Sequence, residues 1–367
     1  MSEEFKNISS GNYAGTADAL NPVIIRRKIK KGYHWAGAVI LIFTALTIVC
    51  AFFYSIIYAA AMIPKVAAES PGMELTQASE MISESLVSGD NMIYYNSAVT
   101  LLSDIVAFII LLLASNMMKM KDIMKKSKLP LSFIAMCAVG LMGVQCFSLT
   151  VQQLITSITG YTGINEQVSA ALSFGDTPLA TAVMLIYTVI LGPIMEELLF
   201  RGFAMNALGA VDRKFGVIAS ALLFGLMHSN FNQIFNGFLL GLVLGYAAYK
   251  CGSVIPSIIL HIFGNAHAML ISYFSEVLVE KLGDEKANAV FWAYMIVVFA
   301  VGAVFIVLTV RKYGLPSNED VIVPGCCFEI GPEDTKKLTW PAFLSSPTVI
   351  ISAVICIVPA IGFITAV

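Results

Sequence analysis

Charge is scarce in this sequence: of 367 residues only 13% are Asp, Glu, Lys or Arg, and four are histidine. Apolar residues make up 58% and the mean hydropathy is +0.82, which excludes a set of ordinary soluble domains. Net charge is -2 with no basic block longer than a loop, so nucleic acid is not an expected partner. The seven cysteines form no C-x-x-C pair and lie mostly in apolar runs, which argues against a disulfide framework or a thiolate zinc site. G-x-S-x-G, G-x-G-D and H-E-x-x-H are all missing, and nucleophilic serine catalysis has no candidate. The first 22 residues lack an apolar run after their few charges; they read as a disordered tail, not a cleaved signal peptide.

Long apolar runs are what the chain does have. A bilayer crossing needs about 20 apolar residues, and the runs predict an all-α polytopic membrane helix bundle of about nine spans. These fall at about 35–63, 93–118, 130–155, 179–200, 215–229, 231–249, 254–274, 290–310 and from 347 onward. The fifth is short. Arg26, Arg27, Lys28, Lys30 and Lys31 precede the first span, while the loop after it carries Glu69, Glu74, Glu80, Glu84 and Asp90 against Lys65. By the positive-inside rule the N-terminus is expected in the cytoplasm. The expected divisions are a tail (1–34), N-terminal spans (35–129), a central core of spans (130–275) and C-terminal spans with a cytoplasmic loop (276–367). Gly237, Gly241 and Gly245 form a stripe suited to close helix packing, and the adjacent Cys326 and Cys327 fit an ordinary loop better than acylation.

An ionisable side chain deep in lipid costs about 2.5–3.5 kcal/mol even on lenient scales, so each needs a partner or a purpose. Such groups concentrate in three places. Glu196-Glu197-Leu198-Leu199-Phe200-Arg201 closes the fourth span, and at about 100° per residue Glu197 and Arg201 share a helix face. They can neutralise one another, which leaves Glu196 to meet something else; an interfacial ion-pair cluster is the plainer alternative. Phe224-Gly225-Leu226-Met227-His228 ends the fifth span. His261-Ile262-Phe263-Gly264-Asn265, in the seventh, puts an imidazole and a carboxamide on one face, with Gly264 leaving room for a backbone or substrate. A carboxylate and a histidine can hold and deprotonate water, and a second histidine with an amide can donate to the oxyanion formed at a carbonyl. That chemistry is peptide-bond hydrolysis. His267, about 240° around the helix from His261, points elsewhere, and His34 reads as an interface residue.

The three motifs, in this order, resemble the CPBP family of CAAX proteases and bacteriocin-processing enzymes, also called Abi, which includes the type II CAAX prenyl endopeptidases. Its pattern is E-E-x-x-x-R, F-x-x-x-H and H-x-x-x-N or D, and no position departs from it. The resemblance covers about residues 130–275. It implies that Glu196 and His228 activate water, that His261 and Asn265 stabilise the oxyanion, and that Glu197, Arg201 and Phe224 support the site. It also implies an intramembrane endopeptidase acting on a membrane-anchored peptide or protein substrate.

Glu196, His228 and His261 could also ligate zinc with water as the fourth ligand; with no H-E-x-x-H, and an Asn suited to donation, no cofactor is the favoured expectation. Rival readings are an ion- or proton-coupled transporter, in which the same residues form a relay, and a non-catalytic bacteriocin-immunity protein of the same fold. Paired broken helices in two repeated halves would mark the transporter, and none is found. The expected location is a plasma membrane, multi-pass, of bacterial type.

Overall fold

In a computed structural model, residues 22–115, 119–159, 174–323 and 332–365 are described; the expected tail and Cys326–Cys327 fall outside them. The described residues are mostly helical, joined by turns and short loops, with no strand among them. In chain order the helices are α1 (Pro22–Glu69), α2 (Leu75–Leu86), α3 (Gly89–Ser115), α4 (Met120–Ile123), α5 (Leu131–Thr159) and α6 (Pro178–Leu208). They continue as α7 (Arg213–Met227), α8 (Phe231–Cys251), α9 (Ile255–Leu282), α10 (Asp284–Tyr313), α11 (Pro332–Leu338), α12 (Trp340–Leu344) and α13 (Pro347–Thr365).

Seven helices (α1, α3, α5, α6, α8, α9 and α10) are long and apolar enough to cross a bilayer; the pair 333–344 and 347–360, bent by 44°, makes eight. The remaining expected span, α7, has 15 residues, or about 22 Å at 1.5 Å each, short of the roughly 30 Å hydrocarbon layer. Helix α1 is longer than its apolar run: its 48 residues take in the basic cluster before the run and continue past Pro64. The acidic loop after α1 holds α2, which buries Ile82 and Leu86.

Between lipid-facing helices there is no water to expel, so close contact must come from small residues and hydrogen bonds. Helices α5 and α10 touch backbone to backbone, where a Cβ at Gly143 would lie 2.6 Å from the Gly302 Cα. Helices α7 and α8 meet the same way: a Cβ at Gly225 would lie 2.5 Å from the Ile234 carbonyl oxygen, and one at Gly241 2.9 Å from the Ala221 Cα. The glycine stripe of α8 is therefore a packing seam, as its spacing suggested. Local signals set the ends of α7. The Asp212 carboxylate accepts from the backbone N–H groups of Lys214 (2.8 Å) and Phe215 (3.1 Å), an N-cap. At the other end Ser229 takes the left-handed conformation (φ 51), rare for a residue with a Cβ, and turns the chain into α8 just after His228.

Candidate active site

Helix α6 carries both glutamates and is not uniform. Two π-helical stretches, Ile186–Leu191 and Leu198–Ala204, flank the α-helical turn Gly192–Glu197. Such insertions shift the hydrogen-bond ladder by one residue and free carbonyls. Pro193, with no N–H to give, deepens the effect. One freed carbonyl is used: the Asn265 Nδ2 of α9 donates to the Thr188 carbonyl at 2.7 Å.

The two glutamates have separate surroundings. Glu197 and Arg201 are fully buried, and Arg201 Nη1 donates to Glu197 Oε1 at 2.5 Å. The guanidinium also lies over the Phe224 ring, 4.4 Å from its centroid, and Gly241 leaves the space it needs, since a Cβ there would come within 3.3 Å of Nη2. Glu196, its side chain 17% exposed, is not part of that ion pair and meets His261, whose Nε2 is 3.6 Å from its Oε2. The division between the glutamates expected from helix angles is thus the observed geometry.

Partner chemistry settles both imidazole tautomers. His261 Nδ1 lies 3.0 Å from Glu197 Oε1, which can only accept when ionised, and His228 Nδ1 lies 3.0 Å from the Phe224 carbonyl oxygen, which can only accept. Both rings therefore carry hydrogen on Nδ1 and turn Nε2 away from these anchors. The Phe224 ring meets both edge-on, with centroids 5.1 Å from His228 and 5.6 Å from His261. Phe200 also meets it edge to face, with centroids 5.3 Å apart. Phe224, conspicuous in the sequence only as the first letter of a motif, is the surface on which the guanidinium and both imidazoles are arranged.

Glu196, Glu197, Arg201, Phe224, His228 and His261 are thus linked through a common set of contacts, and Asn265 joins α9 to α6 one turn beyond His261. The ion-pair range of Glu196 is reached by His261, the imidazole expected on the oxyanion side. Glu196, His228 and His261 are not gathered as a ligand set: among the described residues no group of three or more His, Cys, Asp or Glu is placed to hold a metal ion. His267 lies on the far side of α9 with other partners, Gln145 and Tyr294. His34 bonds Ser346, at 3.0 Å, between α1 and α13. Gly264 admits α5 side chains: a Cβ there would lie 2.8 Å from Leu141 Cδ2.

Asp104 of α3 escaped the sequence reading. It is fully buried, neither carboxyl oxygen has a hydrogen-bond partner, and it interacts electrostatically with Glu196 and Tyr187. The signal was present, an isolated acid inside an apolar run, and the lipid-cost argument applied to Glu196 applies equally to it.

Residues 178–267 match the family model described as type II CAAX prenyl endopeptidase Rce1-like. This is a peptidase family, the one that the three motifs resemble, and the matched stretch holds all three. No curated protein and no solved structure matches the chain.

Proposed function

We propose that this multi-pass membrane protein hydrolyses a peptide bond in a membrane-associated peptide or protein, with Glu196 as the base that activates water. The observation that carries this reading is the unequal treatment of two adjacent glutamates. Glu197 is consumed by Arg201 and His261, whereas Glu196 remains partly accessible within the stretch that matches a peptidase family.

In this reading water lies between Glu196, His228 Nε2 and the scissile carbonyl. As the water oxygen bonds to the carbonyl carbon, one proton moves to the Glu196 carboxylate and the carbonyl oxygen becomes an oxyanion. The amide hydrogen of Asn265 not given to Thr188, and His261 Nε2 when that ring carries both protons, donate to it. The proton on Glu196 then passes to the amide nitrogen as the C–N bond breaks, leaving a free acid and a free amine. The Glu197–Arg201 pair keeps His261 in register. No step requires a metal. The family description makes a peptide ending in a prenylated cysteine and three further residues the first substrate class to test. The loop charges favour a cytoplasmic N-terminus, which in a bacterial plasma membrane turns the Leu208 end of α6 towards the inner leaflet and leaves Glu196 within the span.

The test compares membrane peptides from cells carrying the wild-type protein and Glu196→Gln. A peptide that accumulates only in the variant, and that purified wild-type protein cuts, is the expected result. Identical peptide profiles, with both proteins inserted at equal levels and neither cutting a prenylated test peptide, would overturn it.

A further inference from the structure

A second polar group crosses the membrane helices beside this site. Tyr294 Oη of α10 lies 2.7 Å from His267 Nε2, His267 Nδ1 lies 2.7 Å from Gln145 Oε1 of α5, and Gln145 Nε2 lies 2.9 Å from the Gly264 carbonyl oxygen. Gln145 is 4% exposed and His267 6%. The Gly264 carbonyl can only accept, so Gln145 presents its NH2 there and its Oε1 to His267. That oxygen also only accepts, so His267 carries hydrogen on Nδ1. A neutral ring then accepts from the Tyr294 hydroxyl. Every link has a donor facing an acceptor, from α10 through α9 and α5 back to α9.

The far end of this chain falls inside the H-x-x-x-N turn, at the residue before Asn265 and three after His261. Gly264 lets α5 come this close, because a Cβ there would stand 2.8 Å from Cδ2 of Leu141, one turn before Gln145. The turn is therefore held from two sides, by Asn265 on the Thr188 carbonyl of α6 and by Gln145 of α5 on the carbonyl of the preceding residue. Gln145 and Tyr294 both lie outside the stretch that matches the family model.

We infer that Gln145 is a positioning residue for His261 and Asn265, acting through its bond to the Gly264 carbonyl and oriented by His267 and Tyr294. Its effect on turnover rests on the hydrolytic reading above; its effect on the geometry of His261 does not. A misplacement of reacting groups by about 1 Å can cost about a hundredfold in rate. Gln145→Leu, which keeps bulk and removes both bonds, should lower kcat on a prenylated test peptide by about 10- to 100-fold while leaving KM within roughly twofold.

The second readout is nitrogen NMR of histidine-labelled protein in detergent, with ring signals assigned by removing each histidine in turn. Gln145→Leu should shift the His261 ring signals as well as those of His267, whereas Cys137→Ala, buried on α5 about two turns before Gln145, should leave His261 unmoved. A shift confined to His267 overturns the inference, as does a loss of abundance with kcat and the His261 signals unchanged. Absence of turnover by the wild-type protein would instead count against hydrolysis, and the NMR comparison would still decide this point.

Discussion

His261 Nδ1 and Arg201 Nη1 bond the same oxygen, Oε1 of Glu197, at 3.0 and 2.5 Å. One fully buried carboxylate thus neutralises a guanidinium and fixes a tautomer, so that the ring presents Nε2 on the side where Glu196 lies. The structural and chemical parts of the site are joined at a single atom.

Glu197→Gln tests that joint. It leaves the Arg201 charge in an apolar interior without its counter-ion, which typically costs about 3–5 kcal/mol, and it weakens the acceptor for His261. Detergent unfolding and membrane abundance should both fall. The double variant Glu197→Gln with Arg201→Met, which removes the stranded charge, should recover abundance while turnover stays low. Full recovery of turnover in the double variant would show that His261 does not need Glu197.

Asn265→Ala removes the donor to the Thr188 carbonyl and, in the proposed mechanism, a donor to the oxyanion. Loss of one such donor lowers kcat by about 10²–10³-fold. We expect that fall with little change in KM, together with a modest drop in unfolding midpoint from the carbonyl left unpaired. A drop in midpoint with kcat intact would confine Asn265 to holding α9 against α6.

Gly225→Ala should push α7 and α8 apart, since the new Cβ would stand 2.5 Å from the Ile234 carbonyl oxygen and backbone cannot yield cheaply. A cost of about 1–3 kcal/mol is usual for such overpacking. Because His228 closes α7, turnover should fall as well. Gly72→Ala is the comparison: with φ +89 and nothing within 4 Å, it adds only local backbone strain of about 1–2 kcal/mol and should leave turnover unchanged. Equal turnover in the two variants would separate the α7–α8 seam from the site.

Chelation addresses the metal question. Protein treated with a strong zinc chelator should keep its turnover, with zinc well below one equivalent by elemental analysis. Stoichiometric zinc, lost together with turnover and restored with it, would make Glu196 a metal ligand instead of the base that activates water.

The amino-acid sequence by itself determined the class of molecule and the separation of the two glutamates. Apolar runs of bilayer length dictate helices, because an unpaired backbone group in lipid costs too much for any open alternative. A spacing of four brings 197 and 201 to nearly one face at the 3.6-residue repeat, and the π-helical turn found at Leu198–Ala204 keeps them together. Both facts are local, so periodicity displays them. The full length of α1 and the π-helical turns around Glu196 were less legible, since they depend on how neighbouring helices satisfy or crowd the backbone. Only the tertiary structure decided that Phe224 would sit between two imidazoles, that Asp104 would be buried within electrostatic reach of Glu196, and that Gln145 would reach the Gly264 carbonyl. Those contacts join α3, α5, α6, α7 and α9 across up to 119 positions of chain. Such meetings are set by which small residues let two backbones approach, and a pattern along one helix does not carry that information.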